Sequence, residues 1–365
     1  MDITASTARY EAWLRQELGD EIVQPDLDRK HARMTADPFG FLRATYWRWA
    51  ETILDCCPGL AKAETVLAVG DIHLENFGTW RDADGRLIWG INDYDEAAEM
   101  PWPLDLVRLA TSAVLAGGKP RDLAEALLAG YAAGLAAPGP KVLDQQPGKL
   151  RDAVLANPGE PGESFWQGLE AKLKAAGGKP AARWVAALQA ALPPEAKIIR
   201  LARRTAGTGS LGRPRWVALA EWRGGLVARE AKAMVASGWV LPPGRGHRAI
   251  RALEAATSAF RVPDPWYGVA DHIAVRRLSP SNRKIEVAKD PQLLMAPAML
   301  AAMGHELASL HRASVNRASR AAKPLPKELA ALPASWLKRA AEAAAEMTRQ
   351  DHKAWHLANS GRRKS

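Results

Sequence analysis

The sequence contains little cysteine and lacks long apolar runs. Its two cysteines among 365 residues, Cys56 and Cys57, are adjacent, and neighbouring cysteines rarely make a useful cross-link, so a reducing compartment is expected. No apolar run approaches the roughly 18–20 residues that a membrane-spanning helix needs. The opening segment, MDITASTARYEAWLRQELGD, has no basic stretch followed by an apolar one, which argues against export. These absences predict a cytoplasmic protein without a membrane partner.

The charge balance is basic but not patterned. The sequence carries 50 Lys and Arg against 40 Asp and Glu, which gives a formal net charge of +10. Such a balance is compatible with a nucleic-acid partner or with a phosphorylated small molecule. Because the basic residues are scattered rather than arranged in a stripe, a nucleic-acid partner is possible but not favoured. The oligomeric state is left open.

Apolar spacing in the first half predicts helices and two short strands. Residues 66–69 and 87–91 are typical of buried strands, with a turn at Asp84-Gly85 between them. Asp37 is placed to cap a helix that has Pro38 at its first position. Residues 104–135 are interrupted near GGKP, and the Gly- and Pro-rich residues 137–195 are interpreted as a helical connector or an insertion. Helical spacing is found at about residues 9–18, 38–53, 104–135, 164–175 and 181–192.

The pattern changes at residue 197. The following residues predict three strands separated by a glycine turn and a Gly-Gly turn, then a helix at 246–260 and a strand at 272–280. The remainder is helical, at about 296–313 and 334–357. There is no internal repeat. The predicted fold class is α+β, with a small sheet flanked by larger helical parts.

Polar residues follow both strands of the first half. Gly70-Asp71-x-His73-x-x-Asn76 follows the first strand, and Asp93 and Asp95 follow the second. A carboxylate at the start of a loop can accept a proton or orient a hydroxyl, which suits Asp71. Asn76 and Asp93 offer the oxygen ligands that Mg²⁺ prefers. This combination is what phosphoryl transfer requires, although Asp and Asn also serve as plain turn residues.

A glycine motif lies in the sheet region. Gly207, Gly209 and Gly212 form a G-x-G-x-x-G motif that includes Ser210. The alternating residues that follow predict a strand rather than a helix, so a dinucleotide-binding turn is disfavoured and a hairpin over phosphates is favoured. A structural hairpin is the alternative.

The next strand supplies cations. Arg229 and Lys232 are both candidates for a contact with nucleotide phosphates, and Glu254 on the following helix is a candidate for orienting that cation. Alternation places Arg229 and Lys232 on opposite faces of an unbroken strand. A solvated edge strand and a surface Glu would give the same pattern.

The chain resembles the bacterial DUF2252 family, which is assigned to the protein-kinase-like superfamily. The resemblance depends on the segments KHARMTADPFGFLRATY, VGDIHLENFGTW, INDYDEA, PLDLVRLA, AGTGSLGRPR, VAREAKAM, VRRLSP and MGHELASLH. GDIHLENFG and INDYDEA are similar to the catalytic and metal-binding loops of the aminoglycoside-phosphotransferase branch. This implies Asp71 as catalytic base, Asn76 and Asp93 as metal ligands, and Asp95 as a second ligand. His73 is assigned to the geometry of the catalytic loop, and Asp105 to bracing it.

The resemblance also implies a circular permutation. The glycine motif follows the catalytic loop here, whereas it precedes that loop in ordinary kinases. The implied bilobal fold has a helical C-lobe from residues 1–136 and 286–365, a connector at 137–195, and an antiparallel-sheet N-lobe at 196–285. A hinge for an adenine would fall at 277–279. By register, Arg229 takes the place of the usual Lys.

The leading functional hypothesis is an ATP- and Mg²⁺- (or Mn²⁺-) dependent phosphotransferase acting on an unidentified hydroxyl of a small molecule or a protein. A non-catalytic pseudokinase is the main alternative, because of the altered Lys position. Transfer of AMP and a metallophosphoesterase that uses the Asp71-x-His73 pair are further alternatives.

Overall fold

The computed structural model describes residues 1–145, 148–156, 162–318 and 324–359. The N-terminal helices are α1 Ile3–Leu18, α2 Gln24–Ala36, α3 Pro38–Ala44 and α4 Tyr46–Cys56. The central helices are α5 Pro103–Leu115, α6 Pro120–Ala136, α7 Lys149–Ala156, α8 Gly162–Ala175, α9 Ala182–Ala191 and α10 Ala252–Ala256. The last four are α11 Pro291–Leu294, α12 Pro297–Ala318, α13 Leu325–Ala331 and α14 Trp336–Asn359.

The strands form three antiparallel sheets. In chain order they are β1 Thr65–Ala68, β2 Phe77–Arg81, β3 Leu87–Ile91, β4 Ala98–Pro101, β5 Lys141–Val142, β6 Lys197–Arg203, β7 Arg215–Trp222, β8 Gly225–Ala233, β9 Gly268–Ala270 and β10 Ile273–Leu278. The largest sheet has the order β6-β7-β8-β10-β9, and the smaller sheets are β2-β3-β5 and β1-β4. Helices and antiparallel sheets are segregated, so the α+β prediction is confirmed.

Most predicted elements are found, with shifts at their ends. The helix predicted at 38–53 is divided at Thr45 into α3 and α4, and Asp37 caps α3 by accepting a hydrogen bond from the amide of Gly40 at 2.8 Å. The helix predicted at 246–260 is only the single turn α10. The two strands predicted at 66–69 and 87–91 are β1 and β3, but they belong to different sheets and each pairs with a strand that was not predicted, β4 and β2.

The connector region contributes helices to the five-stranded sheet. On one sheet face, Trp184 and Leu188 of α9 pack against Trp216 and Ala231. On the other face, α8 packs against a cluster that includes Val217. Helix α9 occupies the face of β8 that carries Ala231, and the site described below lies on the α8 side, where Phe165 of α8 lines it.

The main core lies among the helices that surround β1 and β4. Trp102 is fully buried there, stacked on Tyr131 with ring centroids 5.2 Å apart and meeting Trp336 edge-on at 5.8 Å. Met234 and Ala274 of the sheet region belong to the same cluster. The sheet and the helices therefore share one core. None of the described helices is both long and apolar enough to cross a membrane.

Candidate active site

A loop after β1 carries the first group of predicted residues. We call residues 70–76 the Gly-Asp loop. Asp105, near the start of α5, accepts hydrogen bonds from the amides of Val69 at 2.7 Å and Gly70 at 2.9 Å. Gly70 has φ +81° and a Cβ there would lie 2.3 Å from the carbonyl oxygen of Glu96, so only glycine fits. Asp105 thus fixes the backbone that presents Asp71, as the bracing role requires.

Asp71 forms an ion pair with a buried arginine. Arg108, which is 0% exposed, donates from Nε at 3.0 Å and from Nη2 to the same oxygen, Oδ1. Its guanidinium lies between the rings of Tyr46 and Trp49, 4.9 and 5.1 Å from their centroids. Burial raises the pKa of Asp71, although Arg108 opposes the shift. Oδ2 faces Gly209, since a Cβ built on Gly209 would lie 3.0 Å from it.

His73 and Asn76 close the Gly-Asp loop on itself. Asn76 Oδ1 accepts a hydrogen bond from the amide of His73 at 2.9 Å, and His73 Nδ1 accepts one from the amide of Glu75 at 3.1 Å. Burial, together with the charges of Arg43 and Arg108, lowers the pKa of His73 well below its ordinary value. The imidazole is therefore neutral and shapes the loop. The Asn76 oxygen keeps one lone pair for a further ligand.

Asp93 and Asp95 lie in the loop after β3, beside Lys232 of β8. The Lys232 ammonium lies 3.2 Å from Asp93 Oδ1 and also pairs with Asp95. Although burial would raise it, Lys232, Lys284 and Arg276 hold the pKa of Asp93 well below its usual range. Burial and the neighbouring Asp93 raise the pKa of Asp95. Asp93 is the more open of the two, with 32% of its side chain exposed against 11% for Asp95.

The structure corrects two expectations about the cations. Arg229 lies on the α9 face of β8, where Nε donates to the carbonyl of Ala191 at 2.8 Å and the guanidinium covers the ring of Trp266. Lys232, on the opposite face as alternation predicts, is the cation that meets the acidic loop. Glu254, the candidate for orienting that cation, pairs with Arg251 at 2.6 Å.

Residues 204–214, the glycine segment, connect β6 to β7 as the hairpin interpretation predicts. Gly207 and Gly212 have φ +76° and +98°, values that favour glycine. Gly207, Gly209 and Ser210 line a cavity together with Asp71. Gly212 instead faces α2, since a Cβ there would lie 2.4 Å from Leu27.

Helix α2, which was not predicted, holds the glycine segment. Lys30 Nζ donates to the carbonyl of Gly209 at 2.7 Å, and Arg33 donates to the carbonyl of Gly207 at 3.0 Å. Lys30 is 1% exposed and lies over the rings of Tyr10 and Trp47, and burial lowers its pKa to about 7. The sequence offered one signal, because the segment KHARMTADPFGFLRATY begins at Lys30.

A buried carboxylate joins three arginines in the wall of the cavity. Glu230, 1% exposed, accepts hydrogen bonds from Arg276 Nε at 2.7 Å, from Arg215 Nη1 at 2.5 Å, and from Arg204. Arg215 also donates to Ser210 Oγ at 2.8 Å. Sequence reasoning missed this cluster, which we call the Glu230 cluster, because its members come from three strands and one loop.

Many of these groups line one cavity of about 830 Å³, whereas Arg108, Lys232 and Glu230 lie behind its wall. The Gly-Asp loop, Asp93, Asp95, the glycine segment and the three arginines contribute polar groups. Apolar side chains, among them Trp80, Phe165 and Leu278, contribute the rest of the lining. Within the described residues, no three His, Cys, Asp or Glu side chains are grouped as a ready-made metal site.

The fold and cavity define an α+β protein with a large cavity that gathers residues from distant parts of the chain. The chain belongs to the DUF2252 family, described as uncharacterized protein conserved in bacteria, and the family model matches residues 23–135 and 182–358. The resemblance to this family is therefore confirmed. Searches of curated proteins and of solved structures gave no significant match.

Proposed function

We propose that this protein is an ATP- and Mg²⁺-dependent phosphotransferase with a circularly permuted, protein-kinase-like arrangement of two lobes. The observation that carries the proposal is that Asp71, Asn76, Asp93 and Gly207–Gly209 line one cavity, although the glycines follow Asp71 by more than 130 positions in the chain. Three motifs that phosphoryl transfer needs together are thus found together. Leu278 and Ser279, at the expected hinge, line the same cavity and would accommodate an adenine.

The residues present fit a metal-bound nucleotide. Asp93, whose carboxyl is ionised at neutral pH, and the remaining lone pair of Asn76 would hold Mg²⁺. When bound, the metal neutralises phosphate charge during transfer. Gly209 lies so close to Asp71 that a Cβ there would come 3.0 Å from Oδ2. Without a side chain at this position, the backbone could approach a phosphate that is placed next to Asp71.

Asp71 is the proposed general base. Arg108 holds Oδ1, and Oδ2 faces the glycine segment, so Oδ2 is the oxygen available to an acceptor hydroxyl. It would accept the hydroxyl proton as the acceptor oxygen bonds to the terminal phosphorus and the bond to the leaving ADP oxygen breaks. The raised pKa of Asp71 favours proton acceptance. Oδ1 stays bound to Arg108 throughout.

A nucleotide-binding module without transfer is the second candidate. It is favoured by the pairing of Asp93 and Asp95 with Lys232, because a metal must compete with that ammonium for the same oxygens. The two candidates predict the same binding and differ in turnover.

The test is ADP formation from ATP and Mg²⁺, with a boiled bacterial extract as a source of acceptors. We expect Asp71→Asn to lower turnover by about 100-fold or more while nucleotide affinity stays within about threefold. Asp93→Asn should weaken Mg²⁺-dependent ATP binding by about tenfold. Asp84→Asn, in an exposed turn, is the matched control and should behave as wild type.

The outcomes separate the candidates. ATP binding without any turnover by the wild type would favour the binding module. Equal turnover by wild type and Asp71→Asn would refute the role of Asp71. Supplying ATP labelled at the α- or the γ-phosphate identifies the transferred group, and label from the α-phosphate on the acceptor would replace phosphoryl transfer by AMP transfer.

A further inference from the structure

The Glu230 cluster carries more positive charge than its carboxylate can balance. Three guanidinium groups share one buried carboxylate, and a further partner of Arg215 among the described residues is neutral, the hydroxyl of Ser210 at 2.8 Å. Although burial would raise it, Arg215, Arg276 and Arg204 hold the pKa of Glu230 well below its usual range, so the carboxylate is ionised and contributes one negative charge. An excess of about two positive charges remains around Glu230.

Three other arginines of the cavity each have a carboxylate of their own. Arg43 pairs with Glu75 at 2.8 Å, Arg213 with Glu96 at 2.7 Å, and Arg277 with Asp264 at 3.2 Å. The nearby acids Asp93 and Asp95 are engaged by Lys232. The three arginines of the Glu230 cluster thus share one carboxylate, whereas Arg43, Arg213 and Arg277 have one each.

The cluster is oriented with its cations toward the cavity. Glu230 is only 1% exposed, whereas Arg204 and Arg276 are 32% and 27% exposed. All three arginines line the cavity beside Gly207, Gly209 and Ser210, and Glu230 does not. The carboxylate thus holds the guanidinium groups from the side that faces away from the cavity. Each guanidinium retains N–H donors for a ligand.

We propose that Arg204, Arg215 and Arg276 form a preorganised binding site for a polyphosphate, the terminal phosphates of a nucleoside triphosphate. Planar guanidinium groups bind phosphate oxygens through paired hydrogen bonds, and Glu230 holds three of them in place before the ligand arrives. This assigns to the Glu230 cluster the phosphate contacts for which Arg229 was a candidate by sequence. The inference deepens the proposed phosphotransferase function and rests on it for the identity of the ligand.

Binding of inorganic tripolyphosphate, ATP and AMP, each measured by calorimetry on the full chain, tests this site. Arg204→Gln and Arg276→Gln should each weaken binding of tripolyphosphate and ATP by about 10- to 100-fold, the value of one or two charge-assisted hydrogen bonds. AMP, which lacks the terminal phosphates, should be little affected. Arg203→Gln is the matched control, because Arg203 is the exposed neighbour of Arg204 and lies over the ring of Trp216.

The possible results separate failure of this phosphate site from failure of the proposed function. If ATP binds and the affinities of Arg204→Gln and Arg276→Gln equal that of Arg203→Gln, the cluster is only structural. The inference then fails, while the proposed nucleotide function stands. If tripolyphosphate binds through the two arginines but ATP does not compete with it, the anion site stands and the nucleotide function fails. No binding of either ligand by the folded wild type would overturn both. Circular dichroism confirms that each variant is folded.

Discussion

Glu230 makes the stability of the folded protein depend on pH. Its pKa is held well below the usual range by three arginines, despite burial. A carboxyl with a lower pKa in the folded than in the unfolded chain stabilises the fold above its unfolded pKa of roughly 4.3. That contribution is lost as the pH falls through the folded value. The sheet around Glu230 should therefore be among the acid-sensitive parts of the molecule.

Replacing Glu230 tests this linkage. Glu230→Gln should lower the free energy of unfolding by on the order of 3 kcal/mol at pH 7, because three arginines lose their buried counter-charge. Its unfolding should also depend less on pH below about 4.3 than that of the wild type. Urea unfolding at pH 7 and under acid conditions measures both effects. Glu221→Gln, exposed on β7 of the same sheet, is the control, and identical curves for the two variants would contradict the argument.

The residues of the site were only partly predictable. Asp71, Asn76 and Asp93 follow short apolar runs, so their place at the ends of strands could be inferred from the sequence. Alternation also puts Arg229 and Lys232 on opposite faces of β8. It does not say which face meets the acidic loop, because that depends on α9 covering the Arg229 face.

The close packing of α6 against α12 depends on glycine. A Cβ built on Gly130 would lie 1.9 Å from the carbonyl oxygen of Ala301, and one on Gly304 would lie 2.2 Å from that of Leu127. Both contacts are with backbone, which cannot move aside without separating the helices. Helix α12 carries His311, whose Nε2 donates to Asp105 Oδ2 at 3.1 Å behind the Gly-Asp loop.

A pair of alanine substitutions tests this packing. Gly130→Ala should destabilise the protein by about 2 kcal/mol or more, since the overpacking outweighs the better helix propensity of alanine. Gly168→Ala, in α8 with no atom within 4 Å of its would-be Cβ, should instead stabilise by about 0.5–1 kcal/mol. Urea denaturation gives both values. Stabilisation by both substitutions would mean that α6 and α12 are farther apart than described.

Elements with apolar periodicity could be predicted from the sequence, and a helix with a buried polar face could not. Helix α2 buries Asp26 and Lys30 beside Leu27 and Met34, so its inward face does not look apolar. Those polar residues are buried because they hold the glycine segment: Asp26 accepts a hydrogen bond from Thr205 and Lys30 donates one to Gly209. The buried polar residues that contact the glycine segment are therefore the reason that helix α2 was not predicted from the sequence.

At the scale of the whole molecule, the five-stranded sheet and the helices are joined by buried ion pairs. Lys232 pairs with Asp93 and Asp95, and Arg213 pairs with Glu96 at 2.7 Å. The Glu96 carboxylate also accepts a hydrogen bond from the amide of Gly238 at 2.6 Å. These contacts could not be predicted from the spacing of the motifs in the sequence, because the contacts depend on how the sheet packs on the helices.

We expect the described parts to unfold in one cooperative transition. The shared core and the buried ion pairs make separate unfolding costly, since each pair broken leaves a charge without its partner. Tryptophan fluorescence and far-ultraviolet circular dichroism should give coincident thermal curves, and calorimetric and van't Hoff enthalpies should agree. Two resolved transitions, with only one shifted by ATP, would show that the sheet and the helices are independent units.

The attachment of the glycine segment to α2 has a practical consequence for anyone who handles this protein. Shortening the chain to begin after Ala36 would remove Lys30 and Arg33, and with them the hydrogen bonds to the carbonyls of Gly209 and Gly207. We expect such a trimmed protein to keep every residue of the Gly-Asp loop and the Glu230 cluster and yet to lose the proposed nucleotide binding. Affinity tags and fluorescent labels are better placed in the exposed region near Gly177, away from the N-terminal helices.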